Sequence, residues 1–369
     1  MRFPEFSGEW EEEQLDSIAT LSKGIGISKE QLSEDGEPCI LYGELYTKYK
    51  SEIIKQVESK TDIDCSKLKR SKANDVIIPC SGETAVDIAT ARCVPFDNIL
   101  LGGDLNIISL HKYDGAFMSY QLNGKRKYDI ARVAQGVSVV HLYGEHLKAI
   151  KTYNPSLPEQ QKIAKLLSLI DERIATQNKI IEKLESLIRG IYKTLLGESD
   201  QYRYLDDLCE IKKGVQVNKE ELSEKGLYYV MNGGITPSGY YDLYNTEANT
   251  ISISEGGNSC GYVQYNYTPF WSGGHCYTLE NISDVVDDRY LFHYLKANEL
   301  QIMSLRIGSG LPNIQKKDLS AFRIPLPALN KQINIAKALD ALLYKITVDK
   351  NIYSTYKQQK EYLLQQMFI

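Results

Sequence analysis

Hydrophobic residues recur at helical spacing over two long stretches of the chain. In the first, isoleucine and leucine occupy positions a, d and e of a heptad repeat that begins at Ile163. In the second, a similar stripe runs from Ile335 to Leu363, in a stretch without proline or glycine. A period of this kind predicts long amphipathic helices. We place them at residues 158–197 and 329–369 as two spacer helices.

The segments before these helices, 1–157 and 198–328, have a different pattern. Short β-branched or alternating runs are separated by turns rich in glycine and asparagine, which predicts strands at 75–79, 98–102, 137–143, 228–232, 250–254 and 262–267. An amphipathic stretch at 287–305 adds one or two helices. The fold class is therefore α+β: two α/β domains with mixed or antiparallel sheets, accompanied by two long helices.

The two halves of the chain are related to each other. Residues 15–36 align without a gap with residues 205–226 at an offset of 190, sharing Lys-Gly, Lys-Glu and Leu-Ser-Glu pairings. Residues 159–174 align with residues 331–346 at an offset of 172. Between these matches the halves share few side chains, apart from short elements such as Gly-Gly-Asp at 102–104 against Gly-Gly-His at 273–275. The chain is an internal repeat whose domain interiors have diverged.

A long helix after each repeat favours an antiparallel coiled coil, although a three-position stripe also fits a core helix. Both stripes are interrupted by polar residues near the middle: Arg173 and Gln177 in the first, Lys345 and Asp349 in the second. In an antiparallel pair, Arg173 can face Asp349 while Gln177 faces Lys345. We interpret these four residues as a polar layer that fixes the register of the helices.

Composition excludes several classes of protein. The apolar runs are too short to span a bilayer, and the acidic N-terminus has no hydrophobic segment of the kind found in signal peptides. The seven cysteines contain no C-x-x-C, which favours reduced thiols in a cytoplasm. The net charge of −5 argues against a protein that simply coats DNA. Any DNA-binding surface must therefore concentrate positive charge on one face.

Catalytic motifs are not found. The stretch at Asn154-Pro155-Ser156 lacks the second proline of an adenine methyltransferase turn, and no G-x-x-x-x-G-K-[ST] phosphate loop occurs. Gly24-Ile25-Gly26 lacks the third glycine of a dinucleotide fingerprint. The histidines lie without cysteines or carboxylates at metal-ligand spacing, so we expect no metal site. The sequence predicts a non-catalytic protein.

Several motifs, in this order, resemble the specificity subunits of type I restriction–modification systems over essentially the whole chain. They are Arg2-Phe3-Pro4 to Trp10-Glu11, Asn249 to Ser254 with Gly256-Gly257, His275 to Leu279, and Gly308-Ser309-Gly310 with Asn313 to Pro327. The first half departs from the last of these, with Gly136-Val137-Ser138 and His141 in the corresponding places.

The resemblance implies that each globular segment is a target-recognition domain that reads one half of a split double-stranded DNA target. The antiparallel helices would set the distance between the half-sites. Two adenine-N6 methyltransferase subunits and two ATP-dependent translocase–endonuclease subunits would complete the complex. We expect S-adenosylmethionine, ATP and Mg²⁺ on those partners, no cofactor on this chain, and no membrane partner.

Candidate DNA contacts divide into two groups. Basic residues suited to phosphate binding are Lys67, Lys69, Arg70, Lys72, Lys125, Arg126, Lys127, Lys212, Lys213, Arg306, Lys316 and Lys317. Residues suited to base recognition, if they lie on loops that face a groove, are Tyr113, Gln121, Asn123, Asn232, Asn258 and Asn313. Each basic cluster fits an ordinary solvated surface equally well.

Two alternatives remain open at this point. The chain could serve a fused or nuclease-less methylation system, which the neighbouring genes would reveal. It could instead be a repeat scaffold that does not bind DNA, in which case it would fail to bind DNA even with a methyltransferase partner.

Overall fold

The computed structural model describes residues 2–136, 139–194, 196, 199–308, 310 and 312–368. Two compact units divide the chain: unit 1 comprises 1–179 and 351–369, and unit 2 comprises 180–350. The prediction of an α+β fold with two repeated domains and two long helices is confirmed. The division at 179/180 and 350/351 falls inside both long helices, whereas the predicted segments kept each helix separate.

Unit 1 contains eleven strands among its described residues: β1 (Glu11–Gln14), β2 (Ala19–Lys23), β3 (Glu37–Ile40), β4 (Lys60–Thr61), β5 (Asp75–Pro79), β6 (Ser81–Gly82), β7 (Arg92–Val94), β8 (Leu100–Leu101), β9 (Leu105–Leu110), β10 (Val140–His141) and β11 (Lys151–Asn154). Its helices are α1 (Leu15–Ile18), α2 (Glu44–Thr47), α3 (Ala85–Ile88), α4 (Gly115–Asn123), α5 (Lys127–Val133), α6 (Gly144–Lys148) and the first part of α7 (Leu157–Thr194).

Unit 2 has the strands β12 (Tyr202–Tyr204), β13 (Glu210–Lys213), β14 (Tyr228–Met231), β15 (Tyr240–Tyr241), β16 (Thr250–Ser254), β17 (Val263–Asn266), β18 (Trp271–Ser272), β19 (Cys276–Glu280) and β20 (Arg323–Pro325). Its helices are α8 (Leu205–Leu208), α9 (Asp288–Ala297), α10 (Glu299–Ser304), α11 (Lys316–Ser320) and most of α12 (Leu329–Gln366). The described residues contain no helix long and apolar enough to cross a membrane.

The sequence repeat is also a repeat of sheet topology. The antiparallel sheet of unit 1 has the order β2-β9-β5-β7, and that of unit 2 has the order β13-β19-β16-β17. Each unit adds a three-stranded sheet in which one pair is parallel: β3 with β8, and β14 with β18. A Cβ on Gly24 would lie 2.0 Å from the carbonyl oxygen of Gly102, and one on Gly214 would lie 2.3 Å from that of Gly273. Only glycine fits at these two turns.

Much of each stripe is buried as predicted, unit by unit, whereas Ile180 and Leu187 of the first stripe are exposed. In unit 1, Ile163, Leu167 and Ile170 pack with Leu363 and Phe368 in one core. In unit 2, Ile188 packs with Ile335, Leu339 and Ile346. Within unit 1 the two helices are antiparallel, since Asp171 meets Lys360 whereas Arg173, further along α7, meets the earlier residue Tyr356. Leu195 and Gly197, at the end of the first predicted helix, lie outside the described residues.

The proposed polar layer is divided between the units. Arg173 and Gln177 belong to unit 1, whereas Lys345 and Asp349 belong to unit 2. Within unit 2, the Lys345 ammonium lies 2.8 Å from the Asp349 carboxylate one turn along α12, and Asp349 is buried. The pairing of Arg173 with Asp349, and of Gln177 with Lys345, stays a prediction.

A buried ionic cluster joins three distant parts of unit 1. The ammonium of Lys360 lies 2.5 Å from Glu52 and 2.6 Å from Asp171, and Asp171 also accepts a hydrogen bond of 2.7 Å from Tyr120. Burial by itself would lower the pKa of Lys360, but the two carboxylates outweigh it and raise that pKa. Burial raises the pKa of Glu52. Lys360 therefore gives both buried carboxylates an ion-pair partner, and the charge of the buried Arg92 adds to it.

We predict that Lys360→Met destabilises unit 1 by about 3–5 kcal/mol, because it leaves two buried carboxylates unpaired. Urea unfolding in a Trp271→Phe background, followed by Trp10 fluorescence, measures this. Lys55→Met is the matched control, since its ion pair with Glu172 is half exposed and contributes about 1 kcal/mol or less. Equal, small losses in the two variants would contradict this role for Lys360.

A buried histidine in unit 2 predicts pH-dependent stability. The Nε2 atom of His293 lies 2.8 Å from Asp340, which also pairs with Arg289, while Nδ1 has no hydrogen-bond partner among the described residues. Burial lowers the pKa of His293, and the bond to Asp340 offsets this only in part. Protonation would therefore place an unpaired N–H and a charge in the core.

Folding lowers the pKa of His293. We therefore expect its contribution to the stability of unit 2 to be complete above the unfolded pKa of about 6.5, and to be lost as the pH falls below that value. Urea titrations of unit 2 at several pH values, followed by Trp271 fluorescence in a Trp10→Phe background, measure the decline. His293→Gln should remove that part of the pH dependence. An unchanged pH profile in this variant would contradict the assignment.

Candidate nucleic-acid interface

Three neighbouring strand ends form a polar depression in unit 2. Strands β13 and β16 run antiparallel to β19, so Lys213 and Glu255, at the ends of β13 and β16, lie at the same sheet edge as His275, which precedes β19. Asn232 and Asn313 complete the site from two flanking loops. We call these five residues the strand-end pocket of unit 2; the depression has a volume of about 740 Å³.

Glu255 lies at the floor of this pocket. Its side chain is 9% exposed, and it lies 2.5 Å from the Lys213 ammonium and 3.4 Å from Nδ1 of His275. The hydroxyl of Tyr277 lies 3.3 Å from Glu255 and 3.2 Å from the carbonyl oxygen of Ile314, so two acceptors share its single proton. Burial, followed by the charge of Glu255, raises the pKa of Tyr277 to about 12, which keeps the phenol protonated. Lys213 and His275 remain 52% and 63% exposed, so the pocket presents hydrogen-bond donors above a buried carboxylate.

A basic depression forms in unit 1. Lys69, Arg70 and Lys72 line it together with His111, around a volume of about 330 Å³. Arg70 makes two hydrogen bonds to Glu37, at 2.5 and 2.8 Å, which lower the pKa of that carboxyl. Because Arg70 is held within its own domain, Lys69 and Lys72 are the better candidates for phosphate contacts.

Two of the predicted base-reading residues are not on loops. Gln121 and Asn123 lie in α4, and Gln121 is 1% exposed. Both amide atoms of Gln121 bond to the backbone of Tyr153, and both amide atoms of Asn123 bond to that of Ala91. Their hydrogen-bonding groups therefore stabilise the fold. Tyr113 is half-buried and donates a hydrogen bond to Glu13. Burial is the larger cause that raises the pKa of Tyr113, and this hydrogen bond adds to it.

The other predicted residues are dispersed. Lys212 pairs with Glu280 at 3.3 Å, on the opposite face of β13 from Lys213. Arg126 lies 3.3 Å from Asp129 and above the ring of Tyr153. Exposed or half-buried positions on separate loops and helix ends hold Lys67, Lys125, Lys127, Asn258, Arg306, Lys316 and Lys317.

Sequence reasoning did not single out Glu255 or His275 as site residues. The match of Gly-Gly-Asp to Gly-Gly-His in the repeat was the available signal, because it marks a fixed turn with a variable side chain after it. Only strand pairing brings that turn beside Lys213. In the part of the chain that the structure describes, no three His, Cys, Asp or Glu residues are grouped so as to hold a metal ion.

Sequence comparison relates both halves of the chain to one family. The family model described as the type I restriction modification DNA specificity domain matches residues 7–186 and 199–357. A putative type I specificity subunit of Mycoplasma pneumoniae is 38% identical over 144 residues, which are 38% of this chain and 38% of that protein. A putative type I restriction enzyme specificity subunit of Methanocaldococcus jannaschii is 28% identical over 231 residues, or 53% of each chain. The chain thus spans about half or less of the length of these curated relatives.

Solved structures share the fold. The crystal structure of a type I restriction–modification S subunit from M. genitalium has a TM-score of 0.75 at 20% identity and covers 100% of this chain and 99% of that one. A structure from work on complex assembly and conformational transition of the type I system has a TM-score of 0.55 at 15% identity and covers 98% and 97%.

We predict that Lys69→Gln combined with Lys72→Gln weakens binding to duplex DNA of any sequence. Losing two phosphate contacts should reduce the slope of log K against log salt concentration by about 2. Fluorescence anisotropy at several salt concentrations measures the slope. Lys219→Gln with Lys225→Gln makes the same charge change on exposed residues that line neither depression. Equal effects of the two pairs would assign the loss to overall charge.

Proposed function

The chain belongs to the type I restriction modification DNA specificity family, and on that premise we propose that it reads a split, asymmetric DNA target without catalysing a reaction itself. The observation that carries this proposal is the repeated sheet with divergent polar groups at its edge. Lys213, Glu255 and His275 line the edge in unit 2. Two copies of one scaffold with different side chains suit the reading of two different half-sites.

We further propose that the paired helices set the number of unspecified bases between the half-sites, as dimer geometry does in other DNA-binding proteins. The helices also supply surface for partners. Leu169 and Leu187 on α7 are 48% and 51% exposed, and Tyr344 and Tyr362 on α12 are 74% and 55% exposed. Exposed apolar side chains on a polar helix favour a protein partner.

The partners in this proposal are two adenine-N6 methyltransferase subunits and two ATP-dependent translocase–endonuclease subunits, working in the cytoplasm. S-adenosylmethionine, ATP and Mg²⁺ are bound by those subunits, and this chain directs where they act. A role in a fused or nuclease-less methylation system is the nearest alternative, and it differs in the absence of ATP-dependent cleavage.

The test is co-expression with the methyltransferase encoded beside this chain, followed by genome-wide mapping of modified adenines. We expect one split motif. Replacing residues 198–328 with those of another family member should change one half of the motif, and replacing residues 1–157 should change the other half. An assembled complex that binds S-adenosylmethionine but methylates no adenine would contradict the proposal. Failure of that complex to bind DNA at all would favour a scaffold.

A further inference from the structure

Backbone hydrogen bonds identify the equivalent strand ends in unit 1, which we name the strand-end pocket of unit 1 by their place in the repeat. In unit 1, Cys80 N donates a hydrogen bond of 2.7 Å to Asp104 O. In unit 2, the equivalent bond of the repeat runs from Glu255 N to His275 O and measures 2.9 Å. The bonds that follow also match: Leu142 N to Cys80 O in unit 1, and Ile314 N to Glu255 O in unit 2. These bonds and the repeat alignment pair Lys23 with Lys213, Leu41 with Asn232, Cys80 with Glu255, Asp104 with His275 and His141 with Asn313.

The same backbone thus carries different chemistry in the two units. In unit 2 the exposed groups, Lys213 and His275, are donors supported by the buried carboxylate of Glu255. In unit 1 the thiol of Cys80 stands in place of that carboxylate. Burial raises the pKa of Cys80 to about 11, so the thiol is neutral. An exposed carboxylate, Asp104, stands where unit 2 has His275.

This difference argues against phosphate binding as the shared role of the two pockets. Each copy holds an exposed lysine, Lys23 or Lys213, but the carboxylate of Asp104 in unit 1 repels a phosphate. Base edges, in contrast, present either acceptors or donors. Guanine offers the acceptors N7 and O6, while cytosine and adenine offer an amino group.

Resting on the proposed function, we propose that the strand-end pockets are base-reading positions, one in each half-site. In unit 2, Lys213 donates to one acceptor of a guanine, and His275, with protons on both ring nitrogens, donates from Nε2 to the other while Nδ1–H faces Glu255. Glu255 is a positioning residue that holds both donors. In unit 1, Asp104 accepts a hydrogen bond from the amino group of a cytosine or an adenine. The backbone holds each pair in place, and the side chains determine the base.

The test is a selection of random-sequence duplex DNA by the full chain with its co-expressed methyltransferase, followed by sequencing. Lys213→Met and His275→Gln should each lower the preference for guanine about 10-fold at one position of one half-site. Glu255→Gln should relax that same position. Asp104→Asn should change one position in the other half-site and leave the first unaltered.

Lys212→Met is the matched control, since Lys212 is the adjacent residue on the opposite face of β13 and its loss should leave the motif unchanged. His275 is 63% exposed, so His275→Gln keeps the fold and gives a result even if Lys213→Met is unstable. A motif unchanged in the folded Lys213 and His275 variants, or relaxed at both half-sites, would overturn the inference. Wild-type complex that binds DNA but enriches no sequence would overturn the proposed function itself.

Discussion

Unit 1 depends on burying charge that is supplied from the far end of the chain. Glu52 lies in a loop of the domain, Asp171 in α7 and Lys360 in α12, and none of these groups can be buried at low cost without the others. The same end of α12 fills an aromatic core, in which Phe368 packs against Trp10 and Phe117. The domain formed by the first part of the chain is therefore completed by residues 351–369.

Unit 2 also depends on distant parts of the chain, but through apolar contacts. Its largest core joins Ile188 of α7 and Ile335, Leu339 and Ile346 of α12 to the sheet residues Ile251 and Leu279. The long helices are part of the core of each unit. Substitutions along their stripes should thus be read as changes in domain stability as well as in helix pairing.

At the sheet edge the backbone is the same in both units while the side chains differ. This is possible because glycine turns and backbone hydrogen bonds hold the strand ends. The turns at Gly24 and Gly214 have no room for a Cβ, and backbone hydrogen bonds connect the strand ends. Lys213 and His275 are exposed at those ends, whereas Glu255 in unit 2 and Leu41 and Cys80 in unit 1 are buried.

The sequence by itself determined the repeat, both long helices and the main strands at 75–79 and 250–254, because period and β-branched content are local properties. It also named Lys213, Asn232 and Asn313 as candidates, which the structure brings together at one sheet edge. It also named Gln121 and Asn123 as base-reading candidates on condition that they lie on loops, whereas both lie in α4 and bond to distant backbone. Strand register and long-range pairing decide which polar groups bond inside the fold. They also bring Glu255 and His275 to Lys213. Those contacts join residues that are tens of positions apart, and so only the tertiary structure decided them.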